Sequence, residues 1–305
     1  MTPDVTSTWR PAWPCPVGQV LAPYRHGAGD PTYRVDPDGT IWRATRTPEG
    51  PATLRVALDR AAGEIDLAAW GEGAGWVVGS APRLLGADDD PSGFDPQHPL
   101  LREAWRRHHH WRMGSSDLVL DSLLPAIIEQ KVTGKEAFAA YARLVRRFGT
   151  RAPGPRDDLW LAPDAGALRA VPSWEWLKLP VDGARSRPVI AAARVAPALE
   201  RAAGEGAETL DRALRSLPGI GVWTSAEVRQ RVLGDADAVS FGDFHVAKDV
   251  GWALTGEAVD DDGLAEILAP YRPHRYRVQA LVSLSGSHRP RRGPRLAPRV
   301  HLPNT

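Results

Sequence analysis

Arg212-Ala213-Leu214-Arg215-Ser216-Leu217-Pro218-Gly219-Ile220-Gly221-Val222-Trp223-Thr224 reads as a helix, a tight turn and a second helix. Pro218 cannot continue the first helix, and the glycines permit positive φ and close approach of other chain segments. Thr224 is expected to cap the second helix. Backbone N–H groups at the start of that helix, unshielded by side chains at Gly219 and Gly221, would accept a phosphate oxygen. A contact of that kind grips a nucleic-acid backbone without reading its bases. An ordinary αα-hairpin carries the same local pattern, so this stretch alone assigns no function.

Downstream, Val239-Ser240-Phe241-Gly242-Asp243-Phe244-His245-Val246 delivers an acid from an extended apolar stretch to the first turn of another helix. Aspartate is a favoured helix cap, and capping is compatible with chemistry, because helix-end N–H groups suit an ionised carboxylate. Helical spacing prevails throughout the second part of the chain. In 116–148 the apolar residues Leu120, Leu123, Leu124, Ile127, Ile128, Phe138, Tyr141, Leu144 and Val145 share helical faces. Pro125 should kink or restart that run, and Gly134 should separate two helices. Further helices are expected over 184–202, 207–216, 224–233, 244–254, 262–268 and 275–284. Many helices joined by short loops indicate an all-α domain.

Toward the N-terminus the period changes. Asp36-Pro37-Asp38-Gly39 is a turn between two short extended runs, and Thr53-Leu54-Arg55-Val56-Ala57-Leu58 alternates with period two. These features predict a small antiparallel sheet, with a helical segment around 80–86. Residues 1–20, rich in Pro and Trp, read as an irregular lead-in, and the acidic stretch 87–100 reads as a linker. The expected fold class is therefore mainly α. A small antiparallel α+β domain (21–99) precedes an all-α core (100–287), and a Pro- and Arg-rich, disordered tail (288–305) comes last.

The chain has 305 residues and a net charge of +1 that is unevenly spread. Residues 1–100 hold 8 Lys+Arg against 13 Asp+Glu, whereas 101–156 hold 11 against 5 and 271–305 hold 8 against none. Arginine, suited to bidentate phosphate contacts, dominates the basic residues, so two basic blocks could meet a polyanion. A solvated, arginine-rich surface would have the same composition. The single cysteine, Cys15, excludes an internal disulfide, a CxxC zinc site and a four-cysteine cluster. No P-loop lysine motif, HExxH or GxSxG is present, and Gly71-Glu72-Gly73-Ala74-Gly75 lacks dinucleotide spacing because Trp76 replaces the third glycine. Consecutive His108-His109-His110 diverge on a helix, so no metal is expected. Without a membrane-length apolar run or a leader pattern, the expected location is cytoplasmic, beside the nucleoid.

Taken together, Leu217-Pro218-Gly219-Ile220-Gly221 and an Asp about twenty residues later resemble the joint signature of the helix-hairpin-helix DNA glycosylase superfamily. The likeness is greatest to the bacterial 3-methyladenine DNA glycosylase II group. Ile127-Ile128-Glu129-Gln130-Lys131-Val132 resembles the family's Ile-x-x-Gln helix end. Gly183-Ala184-Arg185-Ser186-Arg187 resembles the segment ahead of its central helix, and Tyr271-Arg272-Pro273-His274-Arg275 its C-terminal Trp-x-Pro-x-Arg element. The resemblance covers about 100–285 and implies a two-lobed all-α glycosylase core.

It also implies a chemistry. A base inside a duplex must be extruded before attack, and breaking its N-glycosidic bond builds positive charge on the deoxyribose. Asp243 would stabilise that charge and orient water, while Leu217, Pro218, Gly219, Ile220, Gly221 and Thr224 hold the backbone. Trp223 stands where glycosylase-lyases of the superfamily carry a Schiff-base lysine, so the resemblance implies a monofunctional enzyme; Trp223 could also serve core packing. Trp223, Glu227, Phe244 and His274 would line the base pocket, and Gln130 and Lys131 would serve the orphaned base and the wedge. Glu227 and His274 replace aromatics, and Lys131 replaces a residue that is often apolar. An aromatic box favours cationic alkylpurines, whereas a carboxylate and an imidazole could bind a cationic base or hydrogen-bond hypoxanthine or uracil. Either side chain could instead face solvent. Trp105, Trp111, Trp174 and Trp176 are candidates for stacking or core, and Arg289, Arg291, Arg292, Arg295 and Arg299 for salt-sensitive attraction to DNA. The expected partner is double-stranded DNA, with no membrane, a monomeric chain and no cofactor beyond a monovalent cation at the hairpin. The competing reading is a non-catalytic DNA-binding module that kept the hairpin and lost the pocket.

Overall fold

The structure is a computed structural model and describes residues 1–290. Five strands, β1 (Val5–Trp9), β2 (Tyr33–Val35), β3 (Ile41–Thr47), β4 (Gly50–Asp59) and β5 (Glu64–Trp70), form an antiparallel sheet in the order β1-β5-β4-β3-β2. Val56 stands opposite Ile41 on one side and Leu67 on the other. Period-two alternation sends Ile41, Leu54, Val56, Ile65 and Leu67 to one face, against helices α1 (Val17–Leu21) and α2 (Ala74–Leu84). Trp42, Ala44, Ala68 and Trp70 occupy the other face and pack on Leu159 and Leu161.

The expected lead-in at 1–20 is ordered. β1 pairs with β5 from Val5 opposite Ala69 to Trp9 opposite Ile65, and Cys15, Val17, Val20 and Leu21 are buried. An edge strand with three exposed central residues has no alternation to read; main-chain pairing with a distant strand forms it. The helix expected around 80–86 begins earlier, at Ala74. Nor is 87–100 a loose linker, because Phe94 is buried and Asp89 forms a 2.6 Å ion pair with Arg277.

The remaining helices are α3 (Pro99–His108), α4 (Val119–Ile128), α5 (Gly134–Phe148), α6 (Ala165–Ala170), α7 (Ser173–Lys178), α8 (Gly183–Gly204), α9 (Ala207–Arg215), α10 (Val222–Val232), α11 (Val246–Thr255), α12 (Asp261–Leu268) and α13 (Arg275–Leu284). Between α5 and α6 the short strands β6 (Thr150–Arg151) and β7 (Trp160–Leu161) pair with each other. α4 runs through Pro125 instead of restarting there, since nearly its whole length is buried. Its first N–H groups, at Val119 and Leu120, donate to Glu200 of α8 at 2.9 and 3.1 Å. Burial raises the pKa of that carboxyl group, and the two backbone hydrogen bonds oppose the shift. Thr133 and Glu136 form a capping box at the start of α5.

The helices enclose two hydrophobic cores. One contains Leu123, Ile127, Val189, Leu214, Ile220 and Val228; the other contains Phe94, Leu101, Val239, Val250, Leu264 and Val278. The segment 233–245 passes from Leu233 on the first core to Val239 and Phe241 on the second, and Asp243 within it bonds back to Trp223 of α10, at the junction of the two. The sheet is tied to the helices by Arg43 of β3 with Asp121 of α4, and the turn after α1 by the Tyr24 hydroxyl donating to the Arg231 carbonyl at 2.9 Å. At the C-terminal end His288 lies 3.4 Å from the Asp249 carboxylate, and the Arg289 N–H donates to it at 3.2 Å. Residues 288 and 289 of the expected tail are thus held against α11. Arg291, Arg292, Arg295 and Arg299 lie outside the described residues.

Candidate active site at the junction of the two helical cores

Ile220 anchors the turn between α9 and α10 by burying its side chain, while Pro218, Gly219 and Gly221 stay exposed. Gly219 adopts φ +89°, and a Cβ there would lie 2.5 Å from Cγ of Pro188 in α8. Only glycine meets both conditions without strain. Gly221 is the N-cap of α10, and no side chain caps that end. The exposed turn thus opens onto a helix N-terminus whose first N–H groups lack a side-chain acceptor, a geometry suited to a phosphate oxygen.

Thr224 departs from expectation. The helix starts two residues ahead of it, so Thr224 is an interior residue only 1% exposed. Its Oγ1 accepts from Gln130 Nε2 at 2.8 Å, and the same nitrogen donates to the Gly219 carbonyl at 3.0 Å. Gln130 is therefore a brace beneath the hairpin, its amide nitrogen committed there instead of to an orphaned base. Lys131 comes next, on the exposed turn after α4 with φ +53°, directly after the residue that bonds the hairpin.

Asp243 is held on both oxygens. Oδ2 accepts from Trp223 Nε1 at 3.1 Å, while Oδ1 accepts the N–H groups of His245 and Val246 at 2.7 and 3.0 Å. A carboxylate offers about four lone-pair sites, so the arrangement leaves one on Oδ2. Gly242, at φ +84°, makes the bend that turns the acid toward Trp223. Phe244 is 68% exposed, with Lys248 Nζ 3.8 Å from its ring centroid.

The other two expected pocket residues are placed differently. Glu227 has Oε2 2.8 Å from Arg231 and Oε1 accepting from the Ser240 hydroxyl at 2.6 Å. Its carboxylate is satisfied within the protein and presents no free charge to a base. His274 is 7% exposed, edge-on to Phe94 with ring centroids 5.9 Å apart. Packing against the segment 87–98 draws it into the second core. Burial, and after it the neighbouring Arg277 guanidinium, lowers its pKa below the ordinary histidine value. Among the tryptophans, Trp111 and Trp176 are buried, Trp105 packs edge-on to Phe94, and Trp174 is 62% exposed.

Sequence reasoning passed over Ser240, Gln230, Gln279, Arg231 and Lys248. Glu227 and Arg231 are four apart within α10, and Phe244 and Lys248 are four apart across the start of α11, a spacing that could have revealed two of these contacts. Ser240 and Gln279 come together only through the fold. Among the described residues, no group of three or more His, Cys, Asp or Glu is placed to hold a metal ion, and no helix is long and apolar enough to cross a membrane.

No family model matches the sequence, and no curated protein matches it. Solved structures do. The chain is similar to a 3-methyladenine DNA glycosylase from Archaeoglobus fulgidus at 17% identity and a TM-score of 0.76, over 92% of this chain and 98% of that one. A structure of MBOgg1 in complex with a low affinity DNA ligand matches at 13% identity and a TM-score of 0.70, over 92% and 95% of the two chains. The 8-oxoguanine glycosylase/lyase of Clostridium acetobutylicum, bound to double-stranded DNA containing cytosine opposite 8-oxoG, matches at 12% identity and a TM-score of 0.68, over 92% and 97%. Near-complete coverage in both directions gives this chain the fold of these DNA glycosylase structures.

Proposed function

We propose that this protein is a monofunctional DNA glycosylase of base excision repair, acting as a monomer on double-stranded DNA. The observation that carries the reading is the hydrogen bond from Trp223 to Asp243, which joins the helix behind the exposed hairpin to a fixed carboxylate. The hairpin turn grips the strand through backbone N–H groups, and Lys131 on the exposed turn after α4 serves as the wedge that enters the duplex. With the nucleotide swung out, the remaining Oδ2 lone pair of Asp243 faces the sugar. It stabilises the positive charge that grows at C1′ as the base leaves, and it orients the water that adds there. Trp223 has no amine, so water, and not a protein nitrogen, takes the anomeric carbon, leaving an abasic site. The hairpin cation implied by the resemblance would use backbone carbonyls, and Gly219's retains a lone pair beyond the one taken by Gln130.

The groups around the acid bear on the substrate class. The resemblance favours an alkylated base stacked on Trp223 and Phe244. A second reading, a neutral lesion such as hypoxanthine or uracil, is favoured by Lys248, whose ammonium covers a face of Phe244 that a cationic base would seek.

Duplexes carrying single lesions of each kind, incubated with protein and then cleaved by alkali, test the proposal. Asp243→Asn is expected to lower the excision rate by roughly 100-fold or more with duplex binding retained. Borohydride should trap no covalent adduct. Excision by the variant at the wild-type rate removes Asp243 from the mechanism, and a trapped adduct refutes the monofunctional assignment.

A further inference from the structure

Ser240 lies three residues before Asp243 and is 1% exposed. Its hydroxyl donates to Glu227 Oε1 at 2.6 Å and accepts from Gln230 Nε2 and Gln279 Nε2, each at 2.9 Å. Its N–H donates to Gln279 Oε1 at 3.1 Å, and its carbonyl accepts from the Asp243 N–H at 3.2 Å. Two helices, α10 and α13, therefore converge on the residue that bonds the backbone of the acid. The connection extends further. Glu227 pairs with Arg231, Arg231 Nε donates to the Pro23 carbonyl at 3.0 Å, and the Tyr24 hydroxyl donates to the Arg231 carbonyl. A continuous polar chain thus joins the turn after α1 to Asp243.

Packing does not demand such a chain. Apolar side chains of similar volume would fill the same space at a lower desolvation cost. What a fully satisfied polar network adds is a single geometry, and a carboxylate acting on one carbon must be placed to within about 0.5 Å. We propose that Ser240 and Glu227 are positioning residues that hold Asp243 against Trp223, with the N-terminal part of the molecule as the far anchor through Arg231. This rests on Asp243 being the catalytic carboxylate.

The test uses the full chain as wild type, Ser240→Ala, Ser240→Thr, Glu227→Gln and Asp243→Asn. Single-turnover excision, duplex affinity and thermal melting are measured together. The indole N–H resonance of Trp223, assigned by its loss in Trp223→Phe, reports the hydrogen bond to Asp243 without any substrate. Ser240→Ala is expected to slow excision roughly 10- to 100-fold, with duplex affinity within about twofold, because a misplaced group loses rate before it loses binding. The Trp223 resonance should shift in that variant. Ser240→Thr, which keeps the hydroxyl, should restore both. Glu227→Gln keeps an acceptor for Ser240 but weakens the link to Arg231, and should fall between. An unmoved resonance with an unchanged rate in Ser240→Ala overturns the proposal. So does a loss of rate accompanied by equal losses of binding and melting temperature that Ser240→Thr does not recover. A shifted Trp223 resonance alongside normal excision by Asp243→Asn would leave the clamp standing and remove the catalytic role of Asp243 instead.

Discussion

Asp243 illustrates how one side chain serves local structure and a site at once. One oxygen satisfies the N–H groups of His245 and Val246 in the turn that leads into α11, and the other meets Trp223 across the junction of the two cores. A carboxylate placed only to cap would not need the second oxygen engaged by a residue of another helix. His274 shows the opposite case, a candidate site residue drawn into the interior. Because burial and Arg277 depress its pKa from 6.5, the ring is neutral in the folded protein at neutral pH, while the unfolded chain takes up a proton more readily. The stability this residue contributes is complete above its unfolded pKa and is lost as pH falls through the lower, folded value. Thermal melting measured from about pH 8 down to about pH 5 should decline from near the unfolded value of about 6.5. His274→Gln should remove that part of the decline. A profile that the substitution leaves unchanged would show that the imidazole is not the group responsible.

At the scale of elements, the hairpin is the clearest instance of local chemistry forcing a shape. Gly219 combines a left-handed φ with a neighbour, Pro188, that fills the position of a Cβ. Gly219→Ala is expected to cost roughly 1–3 kcal/mol of stability and to weaken duplex binding, measured by denaturant unfolding and by titration with DNA. Gly221→Ala, which meets open space at φ −103°, should cost less. Equal effects of the two substitutions would refute the role assigned to Pro188. Most helices were legible in advance: periodicity placed helices over 184–202 and 275–284, and the structure has α8 and α13 there. β1, α6 and α7 were not. β1 shows solvent its three central residues, and α6 and α7 are too short for a period to emerge.

Across the whole molecule, the pair Asp89–Arg277 binds parts of the chain that no local signal connects. Asp89 also accepts the Met113 N–H at 3.0 Å, so one carboxylate joins the segment after α2, the segment after α3, and α13. With side-chain exposures of 4% and 0%, the pair is worth far more to keep intact than to possess. Asp89→Ala strands a buried guanidinium and is expected to destabilise the protein by about 3–5 kcal/mol, whereas Asp89→Ala with Arg277→Met should recover much of the loss. Unfolding midpoints measure both, and a double variant no better than the single one would argue against the stranded charge as the cause. The same scale separates the readable from the unreadable. Glycine, proline and aspartate act on their own backbone, so the hairpin, the acid and most helices were determined by the sequence itself. The partners of Glu227, His274, Thr224 and Gln130 were decided by tertiary structure, because a polar side chain takes whichever donor or acceptor burial brings within about 3 Å of it. Nothing in the neighbouring residues encodes which one that will be.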